Sequence, residues 1–236
     1  MNDVVDNAIA ALEGYLRSHP NGHFSETAQL RLDQLLAKRG EKKVSIVSDP
    51  GNPFSKGTAA ARTDYRVGDS YETRVTDLFT KIARTEVNLV TAVTDLEVIY
   101  NDGERITDLL GNLRKRSRDG ARLLDNQFYP AEYAVGRKWS TRFRIINSRE
   151  ADVDVDFAVV GRENISVPAG TFDAFKVHGT GWNYGTNTRL EYTYWIAPQR
   201  VRRAIVFEIR ASPSPLRSTN TPSQRSELVR FSERGS

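Results

Sequence analysis

The chain has 236 residues, with 34 Lys+Arg against 30 Asp+Glu and a formal net charge of +4. Hydrophobic residues at 39% and charged residues at 27% fit a soluble globular protein, either one large domain or a domain with a small appendage. No apolar run approaches the roughly 20 residues of a spanning helix. There is no cysteine, which excludes disulfides, thiol nucleophiles, iron–sulfur clusters, cysteine-ligated zinc and cysteine-borne lipid anchors.

The N-terminus, Met1-Asn2-Asp3-Val4-Val5-Asp6, has neither a basic nor an apolar leader region, so no signal peptide is expected. Val5, Ile9, Leu12 and Leu16 recur at helical spacing and form one apolar stripe. Pro20 stops that helix near Ser18, and Asn21-Gly22 makes a turn. Ser25 is an N-cap with Glu26 in the first turn. Ala28, Leu32, Leu35 and Leu36 form a second stripe that ends near Arg39-Gly40. The expectation for residues 1–40 is a helical hairpin. Ala11, Leu12, Tyr15 and Leu16, the run His19-Pro20-Asn21-Gly22-His23-Phe24, then Ala28 and Leu32 resemble one tetratricopeptide-like helix pair. Such pairs are similar to those that follow caspase-like peptidase domains. A single pair cannot bury both of its faces, which implies docking on this chain or on a protein partner.

Residues 41–64, with Pro50, Gly51, Pro53, Gly57 and Ala59-Ala60-Ala61, read as a linker with a short strand at Val44–Val47. From Tyr65 the period becomes two. Trp139, Thr141, Phe143 and Ile145 alternate with polar residues, as do Val153, Val155, Phe157 and Val159. Leu190, Tyr192, Tyr194 and Ile196 do the same, and so do Ile205, Phe207 and Ile209. These are half-buried antiparallel strands. Weaker strands are expected near 65–79, 82–93, 96–101, 172–183 and 226–232, about nine or ten in all. Residues 211–224 are rich in Ser, Thr and Pro and read as a flexible loop before a last strand.

Val167-Pro168-Ala169-Gly170-Thr171-Phe172-Asp173-Ala174-Phe175-Lys176-Val177 then looks like the hallmark of an uncharacterised bacterial β-domain family. Tyr194-Trp195-Ile196-Ala197-Pro198 and Glu227-Leu228-Val229 add to that resemblance, which covers residues 65–232. The family resembles the lipoprotein-carrier class. That resemblance implies a curved antiparallel sheet whose concave face holds an apolar, lipid-like ligand, and a periplasmic or envelope location. Without an upstream signal or domain the location is cytoplasmic. The motif also has a plain physical reading as a tight turn, with Pro168 fixing φ and Gly170 taking φ > 0.

Candidate chemistry divides into three groups. Asp152, Asp154, Asp156 and Glu163 echo a calcium loop, but Phe157 stands where that loop needs glycine, and the interleaved apolar residues demand a strand. Arg142 and Arg144 are the expected partners of the aspartates across a hairpin. Arg114, Lys115, Arg116, Arg118 and Arg122 form a basic cluster near a turn at Asp119-Gly120. The first four are candidate contacts for an anion, phosphate or lipid headgroup, as a smaller group at Arg200, Arg202 and Arg203 could be. No aromatic is interleaved, so nucleic acid is not expected. The letters Gly51 to Thr58 of a phosphate loop are in the wrong order. His19 and His23 straddle a turn, and His178 has no acid or nucleophile pinned to it. No metal, cofactor or catalytic set emerges. The third group is aromatic: Trp139, Phe143, Trp182, Tyr192, Tyr194 and Trp195 are candidates to line an apolar site on the concave face. Trp195 is out of phase with its strand, and the helical hairpin is its expected cover.

The expected fold is α+β, with an N-terminal helical hairpin (1–40), a linker (41–64) and a strongly curved, half-barrel-like antiparallel sheet (65–232). The expected function is a non-catalytic binding or accessory module for an apolar ligand or partner segment. The alternative is the regulatory or targeting region of a caspase-like peptidase.

Overall fold

The computed structural model describes residues 2–18, 25–38, 59–117, 119–148, 150–212 and 223–234. The turn with His19 and His23, the strand at Val44–Val47, the letters at 51–58, Arg118 and the body of the Ser/Thr/Pro loop lie outside the described residues. The chain divides into two units, Met1–Thr58 and Ala59–Ser236.

In the first unit, helices α1 (Asn2–Ser18) and α2 (Ser25–Lys38) pack on each other. Ile9, Leu32 and Leu35 form the buried seam, with Val5, Ala8, Leu12 and Leu16 against it. Apolar residues at spacings of three and four put those side chains on one face of each helix.

The second unit is almost entirely β. Its strands are β1 (Ala59–Ala60), β2 (Ser70–Asp77), β3 (Ala83–Val93), β4 (Glu97–Tyr100), β5 (Arg105–Asp108), β6 (Leu113–Lys115) and β7 (Arg122–Leu124). They continue with β8 (Glu132–Tyr133), β9 (Lys138–Ile146), β10 (Glu150–Val167), β11 (Gly170–Asn183), β12 (Thr188–Ile196), β13 (Val206–Ser212) and β14 (Gln224–Ser232). Twelve of them close into an antiparallel barrel in the order β10-β11-β12-β13-β14-β2-β3-β4-β5-β6-β7-β9. The other two, β1 and β8, pair only with each other. Ala59 and Tyr133 of that pair are buried in the same core as the barrel wall.

These findings overturn the expected fold. The chain is mostly β, and the sheet is a closed barrel rather than a half-barrel. Closure comes from β14 pairing β2 and from β9 pairing both β10 and β7. The strands that complete the ring, β5, β6 and β7, have only four, three and three residues. None is long enough to carry a legible period. The helical-hairpin and tetratricopeptide-like reading is not retained either. The helical unit has one small apolar seam, and the residues between the helices lie outside the described ones. The linker also ended too late, because Ala59-Ala60 is a core strand.

The long strands follow their alternation. Phe143, Val153, Val155, Phe157, Val159, Leu190, Tyr192, Tyr194 and Ile196 are all buried. On the outer face Asp152, Asp154 and Asp156 stand directly opposite Arg144, Arg142 and Ser140. Arg142 makes two 2.6 Å hydrogen bonds to Asp154, and Arg144 Nε donates to Asp152 at 2.8 Å. The aspartate row is therefore a paired strand face. Val167 and Gly170 close the β10–β11 hairpin, with Gly170 at φ 127°. A side chain there would be strained, which accounts for the glycine.

Candidate functional site

The barrel interior has an aromatic side and a polar side. On the aromatic side the inward rows of β9, β10, β12 and β13 face the loop between β7 and β8. Phe128 of that loop inserts its ring among them. The ring centre lies 5.0 Å from those of Phe157 and Tyr192 and 5.5 Å from that of Phe143, all edge-on. Aromatic pairs favour this edge-to-face geometry. The loop is fastened by wall side chains. Buried Asn112 accepts the Tyr129 backbone N–H at 2.7 Å and donates to the Tyr129 carbonyl at 3.2 Å. Thr141 Oγ1 accepts from the Gln127 N–H at 3.1 Å, and the Tyr194 hydroxyl donates to the Phe128 carbonyl at 2.8 Å.

Four of the six aromatic candidates meet here. Phe143, Tyr192 and Tyr194 are buried around Phe128 or its neighbours, and Trp139 stacks on Phe157 at 5.3 Å. They line a space that the chain's own side chains occupy. The other two lie outside the barrel. Trp182 is 37% exposed and lines a shallow surface depression with Tyr184 and Arg189. Trp195 donates to Glu163 at 2.7 Å, under Lys176 Nζ at 5.1 Å and the Arg225 guanidinium at 5.8 Å. Its cover is supplied by barrel side chains, so a helical cover is not required.

The basic candidates do not converge. Arg116 is bound by Asp119 through bonds of 2.9 and 2.6 Å, and Lys115 Nζ donates to the Gly103 carbonyl at 2.6 Å. Arg114 lies 3.8 Å from Asp108. Each of these charges has its own local partner.

On the polar side Asn88 of β3 is buried, and Glu86 shares its inward face. With Gln224 of β14, Glu104 and Ser117, they line an open cleft of about 430 Å³. Arg84 Nε donates to Glu86 at 2.9 Å.

Four tyrosines form a separate group: Tyr65, Tyr71, Tyr100 and Tyr129. Two adjacent arginines reach them by different routes. Arg202 is fully buried in carboxylates, 2.7 Å from Asp69, 3.0 Å from Asp64 and 3.5 Å from Glu233. Arg203 instead lies over the rings of Tyr100 and Tyr71, 5.3 and 5.6 Å from their centres. Arg105 stands opposite Tyr100 in the β4–β5 pairing. Burial, and next the Arg203 charge, push Arg105 down to about 10. Burial also pushes the Tyr65 and Tyr129 hydroxyls up.

The sequence reading singled out Arg202 and Arg203 but missed Arg105, Glu86, Asn88 and the tyrosine cage. β5 reads Arg-Ile-Thr-Asp, with no apolar alternation to mark an inward face. Phe128 lies in a loop and carries no strand signal.

No family model matches the chain, and no curated protein matches it. Solved structures do. A proposed exported protein with a YmcC-like fold from Bacteroides fragilis is 15% identical, TM-score 0.45, over 74% of this chain and 100% of that one. A proposed lipoprotein from Parabacteroides distasonis is 14% identical, TM-score 0.46, with the same two coverages, 74% and 100%. The hypothetical lipoprotein YmcC from Escherichia coli is 10% identical, TM-score 0.44, over 68% of this chain and 84% of that one. Neither a caspase-like peptidase nor a tetratricopeptide protein is among these likenesses. At these TM-scores the likenesses carry no function to this chain.

Proposed function

We propose that the barrel is a non-catalytic binding module whose ligand enters the polar cleft between β3 and β14. One observation carries this reading: the aromatic side of the interior is filled by Phe128, while the β3 side leaves about 430 Å³ open. An apolar ligand on the aromatic rows would have to displace Phe128 and break the bonds that hold its loop. The cleft offers carboxylates, amides and a hydroxyl, groups that fix the orientation of a polar ligand. The β2–β3 ladder holds Glu86 and Asn88 in register.

Native mass spectrometry of the full chain, compared with its denatured mass, tests the reading. The expected result is a small-molecule adduct in the native spectrum, lost in Asn88→Phe, which fills the cleft. A bare wild-type chain that also shows no thermal shift across a panel of polar metabolites would overturn it.

A further inference from the structure

We infer that the interior of the barrel seats an anionic group, of the phosphate or carboxylate class, between Arg105 and Arg203. The inference deepens the binding reading and depends on it for the rest of the ligand.

Neither guanidinium group makes an ion pair among the described residues, whereas Arg202 next in sequence has three carboxylates within 3.5 Å. Arg105 Nε, Arg203 Nη1 and the Tyr100 hydroxyl are buried and have no hydrogen-bond partner. All three can donate, and Tyr100 joins the two arginines: it pairs with Arg105 and lies under Arg203. Thr107, two residues from Arg105 on the same face, adds a fourth unpartnered group, its hydroxyl.

The acids nearby are taken. Glu86 is held by Arg84, at 2.7 Å from its Nη2. Asp108 accepts from the Asn112 side chain at 3.0 Å and from the Leu110 and Asn112 backbones at 3.0 and 2.8 Å. Of the remaining tyrosines, Tyr65 donates to the Arg202 carbonyl and Tyr71 to Glu233, both at 2.9 Å. Tyr129, the fourth, places its hydroxyl near both arginines. Among the described residues no carboxylate pairs with either cation, and their unpartnered nitrogens stand beside the Tyr100 ring and hydroxyl. Unpaired buried charge is costly, and unmet buried donors add to the cost. Planar guanidinium forks match an oxyanion geometrically.

The probe is inorganic phosphate, titrated at constant ionic strength against chloride, with the unfolding temperature of the full chain as readout. The expected result is a saturating rise in Tm in phosphate only, because an anion that binds the folded state alone stabilises it. Arg105→Gln and Arg203→Gln should each weaken the apparent phosphate affinity at least tenfold, while exposed Arg200→Gln leaves it unchanged. If either Gln variant does not fold, Arg105→Lys keeps the charge, removes the fork and should still reduce the response. No phosphate-specific shift, or a shift untouched by Arg105→Gln or Arg105→Lys, would overturn the inference. Phosphate reads the arginine pair alone. A phosphate response with no retained adduct keeps the anion site and sinks the cleft as a ligand site. A retained adduct lost in Asn88→Phe, without any phosphate response, does the reverse.

Discussion

Arg202 and Asp69 are both completely buried and lie 2.7 Å apart. Around them Tyr71 donates to Glu233 at 2.9 Å, Arg62 Nη1 lies 3.1 Å from Glu233, and the Arg234 N–H donates to Asp69 at 2.7 Å. The group joins residues that precede β2, the β12–β13 connection and the end of β14. Arg202→Met would leave Asp69 buried without its cation, while Glu233 keeps Arg62. Removing one partner of a buried pair costs about 3–5 kcal/mol, so urea unfolding should show a loss of that size. A change within experimental scatter would mean that the carboxylates find other partners.

The same arginine sets the response to acid. The Arg202 hydrogen bond holds the Asp64 carboxyl well below the usual carboxylate range, against the effect of burial. A carboxyl depressed in the folded state stabilises it above the unfolded pKa of about 3.9, and that contribution is lost as pH falls further. Asp64→Asn should flatten the acid limb of a stability–pH curve and leave the neutral region sloping as in wild type. An acid limb unchanged in Asp64→Asn would assign acid sensitivity to other carboxyls.

At the other end of the scale, burial raises the tyrosines Tyr65, Tyr71, Tyr129, Tyr133, Tyr192 and Tyr194. In the unfolded chain these groups ionise near pH 10. Stability is therefore fully present below about pH 10 and falls as pH rises above it. Tyrosinate absorbance and circular dichroism, followed together through a base titration, should show these tyrosines ionising as the barrel unfolds. Ionisation of all of them near their ordinary value in a folded barrel would contradict the burial.

Phe128 is the side chain that turns a would-be apolar pocket into a core. Phe128→Ala removes its ring from among Phe143, Phe157 and Tyr192, and a truncation of this kind costs about 3–5 kcal/mol. The space left is apolar and enclosed, so the variant should bind a small aromatic probe that wild type does not. Absence of probe binding in a folded variant would show that the loop collapses into the gap.

Gly179 faces Phe157 across the β10–β11 pairing, and a β-carbon there would fall on the ring. Gly181 is tighter, because its β-carbon would overlap the Asp154 carbonyl oxygen. Overpacking of this kind costs about 1–3 kcal/mol where a side chain can shift. Gly179→Ala should lie in that range and Gly181→Ala beyond it, since backbone must move. Equal midpoints for the two variants would go against this ordering.

The strands with an apolar row were legible in the sequence because a half-buried sheet writes its faces in alternate residues. Trp139 to Ile145 and Leu190 to Ile196 are such rows, and the partnership of Asp154 with Arg142 followed from them. Closure was not legible. It rests on the short strands at Arg105–Asp108 and Leu113–Lys115, whose inward positions include Arg105 and Thr107. The aromatic site was misjudged because its filler, Phe128, comes from a loop and has no periodic neighbour. Ala59-Ala60 was taken for linker since small residues beside Gly57 look the same in a core strand as in a spacer. The anion candidates were sought in the densest basic run. There Arg114, Lys115 and Arg116 each have a local partner, while the guanidinium groups without an ion pair are at Arg105, alone on a short strand, and at Arg203, beside the fully paired Arg202.

Nearly every pairing in the barrel joins strands that are neighbours along the chain, but β2 pairs with β14. Adjacent hairpins can zip early, because little chain entropy is spent in bringing their strands together. The β2–β14 seam must wait until the intervening strands are in position. The buried Arg202 network lies at that seam and so belongs to the late part of folding. Interactions formed after the transition state slow the opening of a protein without hastening its formation. The carboxylates around Arg202 thus act chiefly as a kinetic latch: they lengthen the lifetime of the closed ring.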